Sequence, residues 1–77
     1  MNKVEKRYQE EIGEFGLKLK EFRELKGWTQ LDLEVACGMN RTEISKIENG
    51  LKNIEFFTIV KLAVALDINV SDFFSSK

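Results

Sequence analysis

The sequence contains no histidine, no proline and a single cysteine. Without histidine, and with Cys37 alone, it cannot assemble a zinc site of thiolate and imidazole ligands, so no metal and no cofactor are expected. One cysteine cannot close an internal disulfide, which predicts a fold held by packing and a reducing, cytoplasmic setting. Cys37 itself is expected to act as a small buried hydrophobe. The same scarcity argues against an enzyme. No histidine base, glycine-rich phosphate loop or nucleophile with an adjacent base is present, so neither catalysis nor a small-molecule substrate is expected. Long apolar runs are also missing. The most apolar stretch, Phe56 to Leu66, is interrupted by Thr58 and Lys61, which argues against a membrane span. The charged opening MNKVEKRYQEE leads into no apolar segment of the kind a secretory signal carries.

An excess of either charge is lacking too. Twelve basic and 13 acidic side chains give a net charge of −1, and both signs are spread evenly along the chain. The basic footprint that usually marks a nucleic-acid binder is absent. Any such function must therefore come from local arrangement.

What the chain does have is 43% hydrophobic and 32% charged residues over 77 positions, the balance of one globular domain with a modest core. Its β-branched residues do not alternate with polar ones, so strands are not expected and the fold class is all-α. Residues 12–77 read as the domain and 1–11 as a tail or helix extension. A first helix is expected to follow a frayed tail and run to about Lys26, with Ile12, Phe15, Leu19 and Phe22 on one face. Gly27 then closes it, and Trp28 is expected to pack on its end. Thr29 before QLD, Asn40 before RTE and Asn69 before VSD each put a short polar cap three residues ahead of an acid. These starts predict helices over 30–37, 41–48 and 70–75, with Gly38 and Gly50 stopping the first two. Phe56, Ile59, Val60, Ala63 and Leu66 mark another over 55–66. The expected architecture is a compact bundle of five short helices.

The informative stretch is TQLDLEVACGMNRTEISKIENG, Thr29 to Gly50. A short helix, a tight turn holding Gly38 and a second short helix make the spacing of a helix-turn-helix. Leu33, Ile44 and Ile47 point inward and set the angle between the two. Arg41, Thr42, Ser45 and Lys46 are left on the outer face, where they could meet base edges if this helix entered a major groove. Taken alone, the same residues read better as an ordinary solvated helix face, and only the motif around them reverses that. Glu43 reads as a helix cap rather than a cytosine reader.

The chain resembles the phage-repressor or Cro-like helix-turn-helix transcriptional regulators, with a lambda repressor-like fold, over about residues 17–74. The likeness rests on an ordered set of features: Gly27-Trp28-Thr29-Gln30, Gly38, Ile44-Ser45-Lys46-Ile47-Glu48-Asn49-Gly50, Ala63-Val64-Ala65-Leu66, and Val70 to Phe74. Within that family, RTEIS and Lys52-Asn53-Ile54 resemble the small controller proteins of restriction–modification systems, though single-domain repressors and antitoxins share much of the pattern. The resemblance implies double-stranded DNA as partner. It implies base reading by Arg41, Thr42, Ser45 and Lys46, and backbone contacts from Thr29, Gln30, Asn40, Asn49, Lys52 and Asn53. Arg23 and Glu48 match a structural ion pair. Glu34 departs from the pattern, standing where the family has alanine against the next helix, so it must be crowded or reach solvent.

Surplus aromatic side chains at Phe57, Phe73 and Phe74 suggest a homodimer contact, because one helix face cannot easily bury two adjacent rings. A symmetric homodimer on an inverted-repeat operator is the expected assembly. The alternative is a protein-interaction adaptor or antitoxin-like module that keeps the fold with weak or no DNA binding, which the acidic charge balance and Glu34 favour.

Overall fold

The computed structural model describes residues 2–75; positions 1, 76 and 77 of the spans expected above lie outside the described residues. Four α-helices follow one another: α1 Lys3–Leu25, α2 Gln30–Cys37, α3 Arg41–Glu48 and α4 Phe56–Leu66. Val70–Phe74 forms a single 3-10 turn in place of the expected fifth α-helix. Five residues are too few for a stable i→i+4 ladder, and the tighter turn suits so short a closing segment. No strand occurs among the described residues.

Helix α1 corrects the expected frayed tail. It is 23 residues long and starts at Lys3. Asn2 caps it: the side-chain carbonyl accepts from the Glu5 N–H at 2.8 Å, and the Glu5 carboxylate accepts from the Asn2 N–H at 3.4 Å. Asn2-Lys3-Val4-Glu5 is thus a capping box, the local signal that the apolar spacing alone overlooks.

The core comprises Phe15, Leu19, Leu33, Met39, Ile44, Ile47, Leu62, Ala63, Leu66 and Phe73. Every α-helix contributes, α2 through Leu33 alone. Leu19, Leu33, Ile44, Ile47 and Leu62 have no exposed surface, so cutting any of them to alanine should cost about 2–5 kcal/mol. On α4 the inward face is Leu62, Ala63 and Leu66, with Ile59 packed at its margin; Phe56, expected inside, is exposed. Cys37 and Trp28 are half-buried against the core rather than enclosed by it. The Nζ of Lys26 lies 5.1 Å above the Trp28 ring.

Two backbone features set the helix angles. Gly38 adopts φ +78° as it ends α2, a conformation that costs a side chain 1–2 kcal/mol on the order of magnitude and lets the chain reverse within three residues. Gly16 is buried where α1 crosses the end of α3, with the carbonyls of Ile47 and Glu48 occupying the space a Cβ would need. Asp67 ends α4 with φ +58°, which a short polar side chain tolerates.

Candidate nucleic-acid interface

Helices α2 and α3 are joined by Gly38, Met39 and Asn40, and Met39 pins that turn into the core. The start of α2 is fixed locally. The Thr29 hydroxyl accepts from the Asp32 N–H at 3.1 Å, and the Thr29 N–H donates to the Asp32 carboxylate at 2.8 Å. At α3 the Asn40 side-chain carbonyl accepts from the Glu43 N–H at 2.9 Å. Here the box is only half made, because the Glu43 side chain does not return to Asn40. It reaches instead to Lys52 in the following loop, Nζ to Oε2 3.5 Å. The reading of Glu43 as a cap therefore holds for its backbone and not for its carboxylate.

Helix α3 has two distinct sides. Ile44, Ile47 and Glu48 are buried, while Arg41, Thr42, Lys46 and Asn49 are exposed and Ser45 is half-buried. Asn49 folds back on its own helix, its side-chain N–H donating to the Ser45 carbonyl at 2.9 Å. Asn53 is exposed in the loop beyond.

The buried side of α3 carries one charged network. The Arg23 guanidinium forks onto Glu48, with Nε to Oε2 at 2.7 Å and the second nitrogen to Oε1 at 3.1 Å. Its remaining nitrogen donates to the Trp28 carbonyl at 2.7 Å. Both side chains are buried, and a bidentate pair satisfies each charge that burial would otherwise penalise. The hydrogen bond to Glu48 raises the guanidinium pKa against the opposing effect of desolvation. Gln30 joins from the first turn of α2, its amide donating to Glu48 Oε1 at 3.0 Å. One carboxylate thus ties together α1, the first turn of α2 and the end of α3. The Gln30–Glu48 link could not be anticipated, since the two are 18 positions apart and neither belongs to a local cap.

Phe73 corrects one expected assembly contact. It is 2% exposed, 4.7 Å from the Phe15 ring and edge-on to Phe22 at 5.9 Å, so it is core and has no surface to offer a partner. Phe74 is 58% exposed, its ring lying at the margin of the core 5.9 Å from Phe15, and Phe57 on α4 is 71% exposed beneath the Lys61 ammonium. Adjacent residues of a short helical turn face directions about 100–120° apart, which is why only one of the two rings goes inside. Glu34, half-buried on α2, escapes enclosure.

A helix-turn-helix family model matches residues 19–73. The chain is 43% identical over 47 residues to a hypothetical transcription factor of Neisseria meningitidis, covering 61% of this chain and 44% of that protein. It is 36% identical over 62 residues to the control protein C.MunI of a Mycoplasma species, covering 79% and 84% of the two. The crystal structure of the restriction–modification controller protein C.AhdI from Aeromonas hydrophila superposes with a TM-score of 0.79 at 36% identity, covering 82% of this chain and 96% of that one. The chain spans less than half the length of the Neisseria factor and most of the two controllers. With the family model spanning α2, its turn, α3 and the packing around them, the chain belongs to the helix-turn-helix family of regulators.

Proposed function

We propose that the chain is a sequence-specific double-stranded DNA-binding transcriptional regulator that acts as a homodimer on an inverted-repeat operator. One observation carries the reading: α3 exposes Arg41, Thr42 and Lys46 on one side while Ile44, Ile47 and Glu48 anchor the other. A helix held this rigidly can present side chains to a major groove in one register. Arg41 has the planar fork that suits guanine O6 and N7, Thr42 a methyl and hydroxyl for a thymine or polar edge, and Lys46 reach to guanine or phosphate. Ser45 is the fourth reading position. Thr29, Gln30, Asn40, Asn49, Lys52 and Asn53 are assigned to the phosphate backbone. Helix N-termini supply N–H donors to phosphates without formal charge, which reconciles a net charge of −1 with DNA as partner. The names of the controller relatives point to the control of a restriction–modification system as the setting.

Selection of bound duplexes from a random pool tests the proposal. The expected product is a two-fold consensus with half-site centres about 34 Å apart. A second reading, an adaptor that keeps the fold without binding DNA, is favoured by the acidic charge balance. Recovery of no enriched duplex at low salt would establish it over the first.

A further inference from the structure

The Glu43 carboxylate is unaccounted for by the cap it was expected to complete. Asn40 already holds the Glu43 N–H at 2.9 Å, and the carboxylate sits 3.5 Å from Lys52 Nζ, with side chains 43% and 37% exposed. It therefore stands on the first turn of α3, next in sequence to Thr42, steadied by a cation from the next loop. A carboxylate is acceptor-only, so it can pair only with a donor. In the major groove the donors are the amino groups of cytosine and adenine. Adenine carries its amino group next to the N7 acceptor, which repels a carboxylate, whereas cytosine's N4 amino group adjoins an apolar C5–H. Guanine and thymine offer acceptors at that edge and are rejected. We propose that Glu43 is a further base-reading residue, selecting cytosine at one base pair of each half-site, with Lys52 as the positioning residue. Lys52 orients the carboxylate and offsets its repulsion from the phosphates, which an unpaired acid on a reading helix would meet in full. The inference rests on the reading that α3 enters the groove.

The test is duplex selection with the full chain and its Glu43→Ala, Glu43→Gln and Lys52→Met variants, followed by titration of single-base-pair substitutions. The parent should lose roughly tenfold in affinity when the selected cytosine is replaced. Glu43→Ala should bind all bases alike at that pair, keep the preferences set elsewhere by Arg41, and bind non-specific duplexes more tightly because a repelling charge is gone. Glu43→Gln should admit adenine and thymine as well as cytosine, since an amide both donates and accepts. Lys52→Met should weaken every duplex and reduce the cytosine preference, since the carboxylate loses the cation that orients it. If Glu43→Ala fails to fold, the near-isosteric Glu43→Gln decides alone. Base preferences in Glu43→Ala and Glu43→Gln identical to the parent at every pair would overturn the proposal and leave the ion pair as a brace for the loop. A parent without any consensus, or an Arg41→Ala variant that reads every pair as the parent does, locates the failure in the groove-binding reading, which takes this inference with it.

Discussion

A methyl group at Gly16 would stand 2.6 Å from the carbonyl oxygen of Glu48, so α1 and α3 cross at a distance only glycine permits. The obstruction is backbone, which cannot turn aside as a side chain can. Gly16→Ala should therefore destabilise the fold by about 1–3 kcal/mol or more, as overpacking does. Gly13, one turn earlier, has nothing within 4 Å of a built Cβ, and Gly13→Ala should instead stabilise by roughly 0.5–1 kcal/mol. Urea unfolding of the two variants should give shifts of opposite sign; shifts of the same sign would contradict the crossing.

The same crossing places Glu48 against Arg23. Arg23→Met or Glu48→Met alone should cost about 3–5 kcal/mol, because each strands a buried charge. The double replacement should recover much of that loss. DNA preferences in whichever fraction stays folded should be those of the parent. Unchanged melting in either single variant would show that the pair contributes nothing.

Phe73 and Phe74 should behave as opposites despite being neighbours. Phe73→Ala removes a ring that is 2% exposed and should cost about 3–5 kcal/mol of stability. Phe57→Ser removes a ring that already meets solvent and should barely change the melting of the monomer, while Phe74→Ser, which loses only a marginal contact with Phe15, should cost far less than Phe73→Ala. If these rings contribute to a dimer, sedimentation should show either serine variant shifted toward monomer at concentrations where the parent self-associates. A parent that remains monomeric at high micromolar concentration, with and without DNA, would remove the homodimer from the proposed function.

Base reading and backbone holding can be separated on one panel of single-base-pair duplex variants at two salt concentrations. Arg41→Ala should lose about 1–3 kcal/mol on the preferred site and relax one base pair per half-site. Gln30→Ala should weaken specific and non-specific duplexes alike, as a phosphate contact carries no sequence information. Its melting must be measured in parallel, since Gln30 also donates to Glu48. Lys46→Ala should lower the salt slope by about one unit if it holds phosphate, and change base preference if it reads an edge.

Features that depend on neighbours a few residues apart can be read along the chain. Thr29 with Asp32, Asn40 with the Glu43 N–H, and Gly38 after Cys37 place α2, the turn and α3 at the boundaries seen, because a cap and its helix share one stretch of chain. The 3.6-residue spacing likewise identified Phe15, Leu19, Leu33, Ile44 and Ile47 as inward-facing. Asn2 with Glu5 was equally local and could have extended α1 to Lys3. Packing between distant elements, by contrast, sets which of Phe73 and Phe74 is enclosed, that Gln30 meets Glu48, and that the Glu43 carboxylate turns to Lys52 rather than to its own cap. Each of these depends on the angle and distance between elements far apart in the chain. Those quantities come from how whole helix faces pack, with Gly16 admitting α3 against α1, and no short run of residues encodes them.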